Sequence, residues 1–122
     1  MSAKKKILIV EDEKGLIKNL EMALEDKYEI TAAMTGQEGL TKAKDDQPDL
    51  ILLDITLPEM DGTEVLRALK SSDETSKIPV LVLTNLSDKA TVRKILSSGG
   101  RDYMIKADWS IDDIIKKVNS YF

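Results

Sequence analysis

The sequence contains no cysteine and no histidine among its 122 residues. Without cysteine, the chain forms no disulfide and offers no thiol nucleophile. Without histidine, it has no Ser-His-Asp triad and no imidazole ligand for a transition metal. The available chemical groups are carboxylates, hydroxyls, lysine and arginine. Any bound metal is therefore expected to be a hard cation such as Mg²⁺ or Ca²⁺.

Long apolar runs and an excess of positive charge are also missing. No apolar stretch approaches the ~20 residues of a membrane-spanning helix, and no signal-peptide core follows the N-terminus. The formal net charge of −4 gives no general attraction to nucleic acid. Apolar residues make up 42% and charged residues 33% of the chain, as in a folded globule. The length predicts a single domain spanning residues 1–122.

Five short apolar runs are predicted to be β-strands, and three of them are nearly continuous in isoleucine, leucine and valine. Such runs are typical of strands that are buried on both faces of a parallel sheet. In chain order they are residues 7–10 (ILIV), 28–33 (YEITAA), 49–53 (DLILL), 80–83 (VLVL) and 103–105 (YMI).

Amphipathic helices are predicted after each strand, and several carry recognisable end signals. TGQE (35–38) and SIDD (110–113) read as capping boxes, in which the first and last residues bond reciprocally. Ser87 is expected to cap the fourth helix, and Gly99 with Gly100 to end it. Alternating strands and helices predict an α/β fold, with a doubly wound parallel sheet and right-handed crossovers.

Polar residues follow four of the five predicted strands, at the sheet edge where α/β proteins bind ligands. Glu11 and Asp12 follow the first strand, Asp54 the third, Thr84 the fourth and Lys106 the fifth. Two like charges 4 Å apart repel by about 4 kcal/mol at an effective dielectric constant of 20. Three converging carboxylates therefore require either a proton or a divalent cation. Mg²⁺ fits, because it accepts a few carboxylates and keeps water or a phosphate oxygen as further ligands.

At these residues the sequence resembles the receiver domain of two-component response regulators. The resemblance spans nearly the whole chain and is carried by ILIVEDE (7–13), DITLPEMDG (54–62), VLVLTN (80–85) and DYMIKAD (102–108). It implies a flavodoxin-like (βα)5 fold with the strand order 2-1-3-4-5. It also implies a signalling switch rather than an enzyme, with only self-phosphorylation and slow self-dephosphorylation as chemistry of its own.

The resemblance assigns roles to the acidic residues. Asp54 matches the aspartate that accepts the phosphoryl group, and a carboxylate is a competent nucleophile for forming an acyl phosphate. Glu11 and Asp12 match the acidic pair that holds Mg²⁺. Asp54 itself and the backbone carbonyl of Thr56 match the remaining protein ligands of that metal.

The resemblance also assigns the residues that transmit the signal. Lys106 matches the lysine that contacts the phosphoryl group, and Thr84 matches the switch hydroxyl. Tyr103 matches the aromatic residue that changes rotamer between the two states. The expected result is a changed surface on the fourth helix, fifth strand and fifth helix.

Two positions distinguish this chain within the resemblance: one departs from the family pattern, and the other bears on how fast the phosphoryl group is hydrolysed. Family members usually place a proline after the lysine, often with a cis bond, whereas this chain has Ala107. A cis bond without proline costs about 3–4 kcal/mol, and we expect it to be retained so that Lys106 still faces the acids. Leu86 offers no group to orient an attacking water, which predicts a phosphoryl lifetime of minutes or longer.

The resemblance implies a sensor histidine kinase or a phosphotransfer protein as phosphodonor, or a small acyl phosphate. It implies a cytoplasmic protein with no membrane partner and no direct nucleic-acid binding by this domain. The output would be a downstream protein or an effector domain outside this chain.

Three alternative functions share part of this residue pattern. A pseudo-receiver would bind partners without phosphorylation, and Ala107 keeps that alternative open. A haloacid-dehalogenase-like phosphatase carries a second acid where this chain has Thr56. A flavodoxin-like cofactor carrier needs a hydroxyl-rich phosphate loop after its first strand, where Glu11 and Asp12 have the wrong charge.

Overall fold

In the part of the chain that it describes, a computed structural model shows five strands and five helices in strict alternation. It describes residues 4–55, 57, 61–84, 89–100, 102–105 and 110–122. The strands are β1 Lys5–Val10, β2 Tyr28–Ala33, β3 Leu50–Asp54, β4 Val80–Thr84 and β5 Asp102–Ile105. The helices are α1 Lys14–Leu24, α2 Gly36–Asp46, α3 Gly62–Ser71, α4 Lys89–Ser97 and α5 Ile111–Asn119.

The five strands form one sheet in the order β2-β1-β3-β4-β5, and every neighbouring pair is parallel. Both the α/β class and the order 2-1-3-4-5 are therefore confirmed. A parallel pair requires a crossover connection, which the intervening helices supply. None of the helices in the described part of the chain has the length and apolar character that crossing a bilayer would require.

Two apolar layers cover the two faces of the sheet. Leu8 and Val10 of β1 pack in one layer with residues of α2, α3 and α4. Ile7 and Ile9 pack in the other layer with residues of α1 and α5. Side chains alternate between faces along a strand, so a strand covered on both sides is apolar at every position. This explains why the sequence of β1 shows no polar alternation over residues 7–10.

Two strands end one residue later than the sequence predicts, and the extra residue is polar in both cases. Asp54 is the last residue of β3 and pairs with Leu83, while Thr84 is the last residue of β4 and pairs with Ile105. Their backbones are therefore held in the sheet ladder, which restricts where the two side chains can point.

The two predicted capping boxes have different outcomes. At α5 the box is complete: the Asp113 amide donates to Ser110 Oγ (3.3 Å), and the Ser110 amide donates to Asp113 Oδ2 (2.8 Å). At α2, Thr35 Oγ1 accepts from the Glu38 amide (3.1 Å), but the reciprocal bond is absent. The prediction was wrong there because Glu38 pairs with Lys42 one turn along the helix, with 3.3 Å between Oε1 and Nζ.

The predicted glycine stop of α4 is confirmed, since α4 ends at Ser97 and Gly99 has a φ of 101°. That left-handed conformation favours glycine. Ser87, the expected N-cap of α4, lies outside the described residues.

β2 is an outer strand of the sheet. Lys42 of α2 donates a hydrogen bond from Nζ to the backbone carbonyl of Ala32 in β2 (2.5 Å). Lys42 thus connects α2 to β2, an edge strand of the sheet.

Candidate functional site

Three carboxylates meet at the carboxyl edge of the sheet. Glu11 and Asp12 directly follow β1, and Asp54 ends β3. One oxygen atom from each lies within 4.8 Å of the other two. The cause is the strand register: β1 and β3 are neighbours, and Val10 pairs with Leu53, so the residues just beyond them are adjacent.

The three carboxylates differ in their access to solvent. Glu11 is 1% exposed and Asp54 is 4% exposed, whereas Asp12 is exposed. Burying a carboxylate is costly unless hydrogen bonds or an opposite charge compensate it. The Glu13 amide donates to Glu11 Oε1 (3.3 Å), and the Glu11 amide donates to the Ala33 carbonyl (2.9 Å). Glu11 is therefore fixed in place on both its backbone and its side chain.

This arrangement fits a hard divalent cation. All three donors are carboxylate oxygens, which Mg²⁺ and Ca²⁺ prefer. The mutual repulsion of three anions within 4.8 Å is relieved by a cation between them. The exposed Asp12 marks the side from which solvent reaches the cluster. The residues present therefore suit the metal that the sequence predicts.

The backbone after Asp54 is held closely against the start of α3. The Ile55 amide donates to the Leu83 carbonyl (3.1 Å), and the Gly62 amide donates to the Ile55 carbonyl (2.9 Å). A Cβ atom at Gly62 would lie 2.4 Å from Ile55 Cα and 2.6 Å from the Asp54 carbonyl oxygen. No side chain fits in that space, so position 62 requires glycine. Gly62 thus holds the start of α3 against the backbone of Asp54 and Ile55.

Thr84 and Tyr103 lie on the two strands beyond β3. Thr84 is fully buried at the end of β4, at the same edge of the sheet as Asp54. Tyr103 lies on β5 and is 37% exposed. It faces an open groove of about 360 Å³ that is lined on its other side by Lys89, Val92 and Arg93 of α4. Tyr103 therefore has an outward orientation in this structure.

Several residues predicted for the site lie outside the described residues. They are Thr56, Leu86, Lys106 and Ala107. The expected cis bond between Lys106 and Ala107 also lies there, so its state stays a prediction.

The sequence did not predict a polar network that joins β5 to α5. Tyr121 donates to Asp102 Oδ2 (2.7 Å), and Lys117 Nζ lies 3.0 Å from Asp102 Oδ1. Burial raises the pKa of the Tyr121 phenol above its ordinary range, and the hydrogen bond and negative charge of Asp102 add to that rise. Asp102 directly precedes Tyr103, so the network fixes the start of the strand that carries it. No local pattern signals a pairing across 19 residues.

Comparison with known proteins gives a consistent result. Residues 7–119 match the family model described as the response regulator receiver domain. Over 116 residues the chain is 40% identical to response regulator PleD of Caulobacter vibrioides, covering 94% of this chain and 24% of that protein.

Two solved structures show the same architecture. Chemotaxis protein CheY4 of Vibrio cholerae superposes with a TM-score of 0.90 at 25% identity, covering 98% of this chain and 100% of that one. The phosphorylated cyanobacterial phytochrome response regulator RcpA superposes with a TM-score of 0.82 at 29% identity, covering 97% and 91% of the two chains. Among curated relatives, the chain spans between 24% and 51% of the length of proteins such as PleD and the staphylococcal regulator ArlR.

Proposed function

This chain belongs to the response regulator receiver domain family, and we propose that it is a phosphorylation-dependent switch whose phosphoryl acceptor is Asp54. Receiver domains are signalling modules rather than metabolic enzymes. One observation carries the assignment: Glu11, Asp12 and Asp54 come together within 4.8 Å at the edge where such a fold binds its ligand.

The proposed reaction is a phosphoryl transfer to Asp54. A carboxylate oxygen of Asp54 attacks the phosphorus, and a new oxygen–phosphorus bond forms. The bond between phosphorus and an imidazole nitrogen of the donor breaks, and the leaving imidazole keeps the electron pair and takes up a proton. The chain contributes mainly position and charge compensation, as in other phosphoryl transfers.

Asp54 is well placed for this role. Its backbone belongs to the β3–β4 ladder, and the bond between Gly62 and Ile55 holds the chain that follows it. A nucleophile fixed in this way needs little reorganisation before attack. The buried position also limits access by bulk water, because only 4% of Asp54 is exposed.

Glu11, Asp12, Asp54 and the carbonyl of Thr56 are proposed to hold Mg²⁺. When bound, the metal supplies positive charge that offsets the anionic donor and acceptor. Lys106 is proposed to add a second positive charge directed at the phosphoryl oxygens. The hydrogen bond from the Glu13 amide helps to orient the Glu11 side chain for this role.

Thr84 and Tyr103 are proposed to pass the change on. The Thr84 hydroxyl would move toward the phosphoryl group, and Tyr103 would turn inward from its exposed position in the groove beside α4. Shifting an equilibrium from 1:99 to 99:1 takes about 5.5 kcal/mol. Hydrogen bonds to a charged group contribute about 1.5–3 kcal/mol each. One bond from Thr84 and one from Lys106 therefore come close to the requirement.

The proposed donor is a phosphohistidine on a sensor kinase or phosphotransfer protein, and small acyl phosphates are proposed substitutes. RcpA provides related support, since that response regulator is phosphorylated. The downstream partner would bind the face formed by α4, β5 and α5. The phosphoryl group on Asp54 is proposed to persist for minutes or longer.

The test is formation of a covalent adduct at Asp54. Wild-type protein incubated with acetyl phosphate and Mg²⁺ should gain one phosphoryl mass, and peptide mapping should place it at Asp54. The Asp54→Asn variant should gain none. Asp45→Asn is a matched control, because Asp45 is an exposed aspartate on α2 away from the cluster.

Two results would contradict the proposal. An adduct that survives Asp54→Asn would place the acceptor elsewhere. A wild-type protein that forms no adduct with acetyl phosphate or beryllofluoride in Mg²⁺ would favour the pseudo-receiver alternative, a binding module that acts without phosphorylation.

A further inference from the structure

Helix α4 is held to the rest of the protein by few buried side chains. Of its nine residues, Ile95 alone is buried. Helix α1 buries three residues and α3 buries five. Leu96, a large apolar residue of α4, is 54% exposed. Elements with few buried apolar contacts open at low free-energy cost, so α4 is expected to detach more readily than its neighbours.

The C-terminal end of α4, by contrast, fits closely against α3. The Gly100 amide donates to the Ile95 carbonyl (2.9 Å). A Cβ at Gly99 would lie 2.7 Å from Lys70 Cγ, and one at Gly100 would lie 3.0 Å from Leu66 Cδ2. The nearest atom to a Cβ at Gly100 is Ile95 Cγ2 of α4 itself (2.6 Å), so this end of the helix is closely packed both against α3 and against its own last turn.

Ser98 directly precedes the two glycines of this α3–α4 junction, and its hydroxyl group is unsatisfied. The residue is 4% exposed, and its Oγ has no hydrogen-bond partner within the described residues. Its backbone amide donates to the Lys94 carbonyl in the usual helical manner (3.0 Å). The preceding residue, Ser97, is exposed and donates from its own Oγ to the same carbonyl (3.2 Å). The two serines are therefore neighbours with opposite environments.

A buried hydroxyl without a partner disfavours the state that buries it. Once the hydroxyl reaches water or a new acceptor, the cost is recovered, which corresponds to a shift of about tenfold or more in an equilibrium. The cost applies only while the C-terminal end of α4 is docked and Ser98 is buried. It therefore selectively weakens docking of the helix that already has the fewest buried residues among the helices compared above.

We propose that Ser98 is a destabilising element built into the α3–α4 junction, which lowers the free-energy gap between docked and displaced α4. Its role in signalling rests on the function proposed above. Helix α4 begins five residues after Thr84, so it lies in the chain between the proposed switch hydroxyl and Ser98. With Ser98 present, a modest change at Thr84 suffices to displace α4.

The first test needs no phosphorylation. Amide hydrogen exchange is measured for α4 in wild type, Ser98→Ala and Ser97→Ala, with the amides of β1 and β3 as internal references. Ser98→Ala should slow exchange in α4 about tenfold, because alanine removes the unsatisfied hydroxyl, and should change the reference amides less. Ser97→Ala should not slow exchange, because it removes a satisfied, exposed hydroxyl.

Two outcomes of this test would overturn the proposal. Unchanged or faster exchange in α4 of Ser98→Ala would mean that the hydroxyl carries no penalty in the docked state. Equal slowing of α4 and of the β1 and β3 amides would mean a global stabilisation rather than a property of this junction.

The second test asks whether the same residue sets the size of the switch. Beryllofluoride with Mg²⁺ is added to wild type and Ser98→Ala, and the change in α4 exchange is compared. The change should be several-fold smaller in Ser98→Ala, and an equal change would overturn the signalling role. A wild-type protein that forms no adduct would contradict the proposed function and that role together, whereas the first test would still decide the docking claim.

Discussion

The amide of Gly62 donates a 2.9 Å hydrogen bond to the carbonyl of Ile55, the residue directly after Asp54. A Cβ at position 62 would meet the backbone of residues 54 and 55 at 2.4–2.6 Å. The start of α3 is therefore pressed against the chain that carries the proposed acceptor. Movement of either segment moves the other.

Replacing this glycine is expected to be destabilising. Gly62→Ala should lower the free energy of unfolding by at least about 1–3 kcal/mol, the usual cost of overpacking, because the contacts are with backbone rather than flexible side chains. Urea denaturation measures the change. Gly15→Ala is the control: nothing lies within 4 Å of a Cβ there, and alanine favours helix by about 0.5–1 kcal/mol. Equal effects of the two substitutions would contradict the packing argument.

The acidic cluster predicts opposite effects of one substitution with and without metal. In EDTA, Asp12→Asn should raise the free energy of unfolding by about 1 kcal/mol. This is the repulsion between two like charges about 4 Å apart in water, the dielectric that suits the exposed Asp12. In saturating Mg²⁺ the order should reverse, because wild type gains about 2.7 kcal/mol at a metal concentration of 100 times Kd and the variant gains less. Thermal unfolding in each buffer measures both.

The exposed residue Asp45 again supplies a matched control for charge removal. Asp45→Asn should leave the Mg²⁺ gain unchanged, since it lies on α2 outside the cluster. If Asp12→Asn retained the full Mg²⁺ gain, the cluster would not be the metal site.

The pairing of Tyr121 with Asp102 predicts a loss of stability in alkaline solution. The phenol ionises near its ordinary pKa of about 10 in the unfolded chain, whereas the folded protein raises that pKa. Above about pH 10 the unfolded chain therefore binds fewer protons, and the free energy of unfolding falls as the pH rises. Tyr121→Phe should make that fall shallower, as measured by urea unfolding at pH 8 to 11.

At neutral pH, Tyr121→Phe should lower the free energy of unfolding by about 1–2 kcal/mol, because a hydrogen bond to a charged group is lost at a partly exposed site. Asp102→Asn should also flatten the alkaline fall, since it removes the charge that opposes phenolate formation. If the free energy of unfolding fell as steeply with pH in both variants as in wild type, the pair of Tyr121 and Asp102 would not cause the loss of stability in alkaline solution.

The proposed switch predicts that phosphorylation and response can be separated. Thr84→Ala should still form the beryllofluoride adduct at Asp54, but the population shift at Tyr103 and α4 should fall at least tenfold, the value of one hydrogen bond to a charged group. Thr84→Ser keeps the hydroxyl and should keep most of the response. NMR shifts of the Tyr103 amide measure the effect, and a full response in Thr84→Ala would exclude this route.

Much of the architecture could be predicted from the sequence because its signals are local and strong. The runs in β1, β3 and β4 are apolar at nearly every position, since both faces of each strand are covered. The apolar runs place two strand ends one residue too early: Asp54 and Thr84 belong to their strands, because ladder pairing continues for one residue past the apolar run.

Other features depend on contacts that no short pattern encodes. Glu38 has two available partners, the Thr35 amide and Lys42, and the sequence alone does not decide between them. The hydroxyl of Ser98 is buried without a partner only in the folded protein, whereas the same serine in an isolated helix would be solvated. Tertiary packing determines both outcomes.

The bond from Lys42 to the Ala32 carbonyl has a consequence for self-association. An outer strand exposes unpaired backbone N–H and C=O groups, which can pair with a strand of another chain. The Lys42 ammonium group occupies one of these carbonyls, that of Ala32, and hinders such pairing. Lys42 thereby protects the edge against strand addition, the step from which fibrils grow.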